Sequence, residues 1–222
     1  MDGLKKGLIL LGIATLLSRS VAFPQIPVEV FIGHEKSTID LMFFKFFKNG
    51  KGESSRFLFF NRNRASVDYR MTSKSNLPQF GFTEAVSYNH PILNGFAPVV
   101  VGQVFNTGVY PKVGIQYYKM KGSFTVFTWL ICETLSGPMI DYYLLSRFEP
   151  SLNDKLGLFI QAEFVNGFRT VQEKNNTFVQ RFRIGLSTNS WQCGIGSDFS
   201  ESERDDYTFN HNTGIFVRYV FK

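Results

Sequence analysis

Leu156-Gly157-Leu158-Phe159-Ile160-Gln161-Ala162-Glu163-Phe164 is the stretch on which the fold turns. Leu156, Leu158, Ile160, Ala162 and Phe164 make one wholly apolar face, while Gly157, Phe159, Gln161 and Glu163 turn polar along the segment. A period of two belongs to a strand, whose successive side chains point to opposite faces. The split recurs downstream. Phe182, Ile184 and Leu186 oppose Arg181, Arg183, Gly185 and Ser187; Trp191, Cys193 and Ile195 oppose Gln192, Gly194, Gly196 and Asp198.

A soluble sandwich would alternate in the same way, so strand length decides between the two. Working outward, the pattern predicts strands over residues 27–32, 38–48, 56–70, 79–89, 97–106, 112–120, 123–133, 139–148, 155–165, 177–188, 191–199 and 213–222. The first is the weakest, because Pro24 and Pro27 interrupt it. Most reach the ~9–11 residues that cross a bilayer at a ~45° tilt, about twice the ~5–6 of a globular sheet. A sheet in lipid must close, since an open edge would leave backbone groups unpaired. The expected fold is therefore all-β, a closed antiparallel transmembrane β-barrel of about 12 strands, with 10 as the alternative count.

Composition excludes the main competitors. The 222 residues are 44% hydrophobic and 19% charged, which is not a disordered chain. A mean hydropathy of -0.06 is too polar for a polytopic helical membrane protein, yet 25 Phe, 9 Tyr and 2 Trp exceed the needs of a soluble core. Such aromatics suit the girdles of a barrel. Two cysteines, Cys132 and Cys193, and three histidines leave no basis for a disulfide scaffold, a metal centre or a cofactor. The net charge of +6 comes without a Lys/Arg block, so nucleic acid is not an expected partner.

Residues 1–22 read as a cleavable signal peptide: Lys5 and Lys6, an apolar run from Gly7 to Leu17, then Ser20-Val21-Ala22 before Phe23. The run is short of the ~20 residues a spanning helix needs. Residues 23–222 are then the outer-membrane β-barrel domain. With both termini periplasmic, the connections at 49–55, 121–122, 149–154 and 188–190 fall inside. The longer ones at 71–78, 166–176 and 200–212 fall outside.

The C-terminal run Gly214-Ile215-Phe216-Val217-Arg218-Tyr219-Val220-Phe221-Lys222 resembles the last strand of Gram-negative outer-membrane proteins, which ends in alternating aromatics and a final Phe. Lys222 departs from that pattern by one residue. The resemblance implies location in the outer membrane, contact with its lipids and lipopolysaccharide, and the barrel assembly machinery as a partner during biogenesis. More locally, Asp40 to Lys48, the turn 49–55 and Phe57 to Asn61 are similar to the early strands of the twelve-stranded nucleoside-channel-like group. About 20 residues carry that likeness, and no binding residue is transferred from it.

The residues that could carry function are basic and at inward parity: Arg62, Arg64, Arg147, Arg181, Arg183 and Arg218, with Tyr118 and Tyr143. Arginines lining a narrow lumen attract carboxylates and phosphates through bidentate hydrogen bonds. Asp68, Glu84, Asp141, Glu163 and Asp198 are expected on the same face, where they could pair with the arginines and plug the path. The leading expectation is a passive channel for small anionic or aromatic solutes. One alternative is a non-conducting barrel with a partner in an outer-membrane complex; another is a lipid-modifying enzyme. His211, two residues before Thr213, resembles the His–Ser spacing of outer-membrane lipid A deacylases, but Thr is the wrong nucleophile and no acid orients the ring. His90 in Ser87-Tyr88-Asn89-His90 has no better partner. The expectation is therefore of no enzyme and no catalytic residue.

Overall fold

The computed structural model describes residues 26–69, 78–135, 139–169, 176–203 and 207–221. The signal-peptide expectation for residues 1–22 lies outside them, as do most of the 71–78 and 166–176 connections. Twelve strands follow in order: β1 (Ile26–Gly33), β2 (Lys36–Lys48), β3 (Ser54–Asp68), β4 (Gln79–Tyr88), β5 (Phe96–Phe105), β6 (Gly108–Lys121), β7 (Phe124–Glu133), β8 (Met139–Phe148), β9 (Gly157–Arg169), β10 (Asn176–Thr188), β11 (Trp191–Glu203) and β12 (Tyr207–Phe221). Each pairs antiparallel with its sequence neighbours, and β1 pairs with β12 from Ile26↔Phe221 to Gly33↔Gly214, closing the ring. Closure satisfies the backbone without an edge, as a spanning sheet requires.

The count is twelve, as the alternation predicts, and β8 starts and ends where expected. Several other boundaries move. β11 and β12 run on as a paired hairpin through Ser200↔Asn210 and Ser202↔Thr208, so most of the expected 200–212 loop is sheet. Phe199 and Phe209 stack on its outer surface, with ring centroids 6.3 Å apart. β6 begins at Gly108 and carries Pro111 within the ladder, opposite Gly102. The weak first strand is short but fully paired with β12, because its Pro27 lies near the strand start, where a missing donor costs least.

Parity follows the sequence reading. Ile184, Ile195, Ile215 and Leu186 are exposed on the outside, while Glu163, Arg183 and Arg218 are buried within. The interior carries the polar residues expected, but it is not lined by them alone. Phe31, Phe60, Phe127, Phe159 and Phe216 also point inward and are at most 1% exposed. Met42, Phe60, Phe127, Trp129, Tyr143 and Leu145 form a contiguous cluster on the β2–β8 side, and Phe31, Phe159 and Phe216 a smaller one near the closing seam. The core of this barrel is its lumen.

Candidate functional site

β3 and β9 lie six places apart whichever way the ring is followed, so they face each other across the barrel. Even so, Arg62 Nη1 on β3 donates to Glu163 Oε2 on β9 at 2.7 Å. A direct contact between opposite walls bridges the lumen at that point. Tyr143 on β8 donates its hydroxyl to Met42 Sδ on β2 at 3.4 Å, also between opposite strands, and accepts from Arg62 Nη1 at 3.2 Å. These two contacts form the waist of the lumen.

From the waist the polar groups run on as one network. Asp40 on β2 accepts from Arg62 Nη2 at 2.7 Å and from Arg64 Nη2 at 2.6 Å. Glu163 also holds Arg181, at 3.3 Å, and accepts from Gln161 Nε2 at 2.7 Å. Gln161 Oε1 in turn accepts from Arg147 Nε at 2.9 Å and Arg218 Nη1 at 3.3 Å. Arg218 Nε and Arg183 Nε both donate to Glu29, at 3.1 and 3.0 Å, and Arg183 Nη1 reaches Asp198 at 2.7 Å. Phe31 and Phe159 lie under these guanidinium groups, with Arg183 4.0 Å from the Phe31 centroid and Arg218 4.4 Å from that of Phe159. Aromatic faces favour a guanidinium that has given up water.

Glycine makes room for this arrangement. Gly196 lies opposite Arg183 in the β10–β11 register, and a Cβ there would sit 2.6 Å from Arg183 Cδ. At Gly33 a Cβ would meet the Asn212 amide, whose oxygen accepts from the Glu35 and Lys36 N–H groups and so fixes the β1–β2 turn.

On the outer-end side of the waist is a cavity of about 300 Å³. Lys36, Arg62, Arg64 and Arg181 line one side; Thr83, Gln103 and Asp141 line another; Phe60, Trp129 and Tyr143 contribute apolar surface. Arg62, Arg64 and Arg181 keep 11%, 18% and 16% of their side chains accessible, against 2% and 5% for Arg183 and Arg218. The arginine set thus divides in two. Three border the cavity and share the two carboxylates of Asp40 and Glu163, while Arg183 and Arg218 are buried around Glu29 of β1, whose register partner on β2 is Asp40.

All six expected arginines point inward. Arg147 is the odd one: it meets Gln161 rather than an acid, and its Nη2 has no partner among the described residues. Tyr143 belongs to the waist. Tyr118 does not; it stacks on Phe44 at 5.2 Å within the aromatic cluster and does not line the cavity.

Glu84 corrects the sequence reading. Thr83, Ala85 and Ser87 are the buried residues of β4, so Glu84 faces outward and is exposed. Several groups were missed. Glu29 and Asp40 are central to the network, and Lys112 is buried in an ion pair with Asp141. Glu29 alternates with Val28 and Val30, and Asp40 with Ile39 and Leu41, so their inward parity was available in the sequence. Lys112 opens the expected 112–120 strand, with no preceding strand residue to set its parity.

Among the described residues neither histidine candidate is hydrogen-bonded to a side-chain hydroxyl. His90 accepts from the Ile92 N–H at 3.3 Å and caps the short 3-10 turn Pro91–Leu93, on the same end as the termini. His211 is on β12 rather than in a loop, and its ring lies 4.8 Å from that of His34. Thr213 Oγ1 meets Ser197 Oγ at 2.9 Å instead. Among the described residues no group of three or more His, Cys, Asp or Glu could hold a metal, and both cysteines are free.

No protein-family model and no curated protein matches the chain. Among solved structures it is similar to the NanC porin, at 7% identity and a TM-score of 0.50, over 90% of this chain and 100% of that one. It is also similar to the KdgM porin, at 9% identity and a TM-score of 0.48 over 89% and 99%, and to the translocator domain of the autotransporter NalP from Neisseria meningitidis, at 12% and 0.37 over 99% and 96%. At such identities the likeness to the NanC porin is one of fold alone, a closed β-barrel.

Proposed function

We propose that this chain is an outer-membrane channel for small anionic solutes, captured in the cavity beneath the outer end and passed through a waist that is closed in this conformation. The observation that carries the reading is the sharing of Asp40 and Glu163 by three cavity-facing arginines, Arg62, Arg64 and Arg181. One guanidinium charge is left over within that group, and Lys36 borders the same cavity. Low-dielectric walls focus such a field and concentrate anions at the mouth. A solute carboxylate or phosphate presents a guanidinium with anionic oxygens, as Glu163 does, and competes for the same donors. Exchange of one for the other releases β3 from β9. Phe60, Trp129 and Tyr143 supply apolar faces for a ring-bearing anion.

The second reading, a non-conducting subunit of an outer-membrane complex, draws on the same contact seen differently. If the Arg62–Glu163 bridge never opens, the lumen is a packed core and the barrel a scaffold. Swelling of liposomes carrying the purified barrel separates the two. Small carboxylates should enter faster than uncharged analogues of equal size, and Arg62→Gln/Arg64→Gln/Arg181→Gln should abolish the difference. Liposomes that admit neither class would support the scaffold.

A further inference from the structure

The outward face of β4 reads Phe80, Phe82, Glu84, Val86 and Tyr88, so the carboxylate sits at the centre of an otherwise apolar strip. It makes no hydrogen bond or ion pair among the described residues. Its register neighbour on β3 is Asn61, and the next outward residue of that strand is Asn63, opposite Phe82. Asn61 is only 5% exposed, yet Asn61 Oδ1 and Asn63 Oδ1 are both buried without a partner. On the other side, Glu84 pairs with Gly102 of β5, around whose missing Cβ nothing lies within 4 Å. A carboxylate and two carboxamides thus share the lipid-facing wall beside an open notch. Hydrocarbon offers such groups no hydrogen bond, and an unmatched polar group there is costly.

We propose that this β3–β4 wall is the interface between two copies of the chain lying side by side in one membrane, with Glu84 bonded to Asn63 of the partner subunit. The patch is self-complementary, as a two-fold contact requires: it carries amide donors and a carboxylate acceptor on adjacent strands. Glu84 and Asn63 are diagonal neighbours across the β3–β4 ladder. A two-fold axis along the membrane normal and between those strands sets each acid against the partner's Asn63, twice over. Phe43, Phe59 and Phe82 flank the contact and pack around it, and Gly102 lets the second wall approach. The interface is independent of conduction through the lumen.

The test uses the mature barrel in lipid bilayers. Asn63→Cys protein mixed with Glu84→Cys protein, both with Cys132 and Cys193 replaced by Ser, should give a cross-linked pair on mild oxidation. Neither variant alone should do so to the same extent. Separately, Glu84→Leu should weaken dimerisation about tenfold in a dilution series followed by energy transfer, the order expected for losing two buried hydrogen bonds in a membrane. Glu84→Gln, which keeps the bonding, should dimerise like the wild type. A monomeric wild type, an absent cross-link, or Glu84→Leu dimerising like the wild type would overturn the proposal. So would a wild-type barrel that recruits a helical membrane protein through Glu84 while remaining monomeric.

Discussion

Replacing Glu163 by Gln should turn a closed waist into a conducting one. Among the described residues Glu163 is the only carboxylate that reaches Arg62 from the opposite wall, at 2.7 Å, and it holds Arg181 as well. Its side chain is 2% exposed and that of Arg62 11%, so the pair is shielded and its loss is not softened by bulk water. Breaking a buried ion pair from one side costs ~3–5 kcal/mol. Gln keeps an acceptor for Gln161 Nε2 and the side-chain volume, which puts the change at the low end, about 3 kcal/mol. Each 1.4 kcal/mol is a factor of ten, so a waist open about 1% of the time would become open roughly half of the time. Arg62 and Arg181 would meanwhile lose a counter-charge, and anion preference should rise together with open probability. Single-channel recording in planar bilayers measures both, and gel migration with and without heating shows that the barrel is folded. A folded Glu163→Gln barrel with wild-type open probability would refute the idea that this bridge closes the waist.

Three further outcomes follow from the structure. Ile184→Arg, exposed on the lipid face, should lower folding stability by roughly 2–4 kcal/mol, whereas the inward-facing Ser187→Arg should be nearly neutral; urea titration in lipid vesicles compares them. Gly196→Ala should push Arg183 out of line with Glu29 and Asp198, because the new Cβ falls 2.6 Å from Arg183 Cδ, at a cost of about 1–3 kcal/mol in the same assay. The secreted protein should begin at Phe23, since Ser20 and Ala22 supply the small residues of a cleavage site; intact mass decides between that species and one retaining residues 1–22.

Much of the barrel was legible because a spanning strand has few ways to be written. The alternation of Phe182, Ile184 and Leu186 with Arg181 and Arg183 reports both the strand and its inside. What alternation cannot report is which residues meet across the lumen. Arg62 and Glu163 are 101 residues apart in sequence, and their contact depends on ring closure and on how far each side chain reaches. Inward aromatics were the second blind spot. Phe159 and Phe216 occupy polar parity, and a large apolar residue there reads as noise until the closed ring shows it buried. Glu84 was misplaced for the opposite reason, its charge having been taken as a sign of the lumen. The size of its neighbours carried the better signal, since large Phe82 and Val86 share its face while small Ala85 and Ser87 lie opposite.

The reversal potential of the wild-type barrel in a planar bilayer under a salt gradient tests the central claim most directly. The cavity arginines should make the channel prefer anions, more strongly at 0.1 M salt, where the screening length is ~10 Å, than at 1 M, where it is ~3 Å. A potential of the cation-selective sign, or no conductance at any salt concentration, would contradict the account.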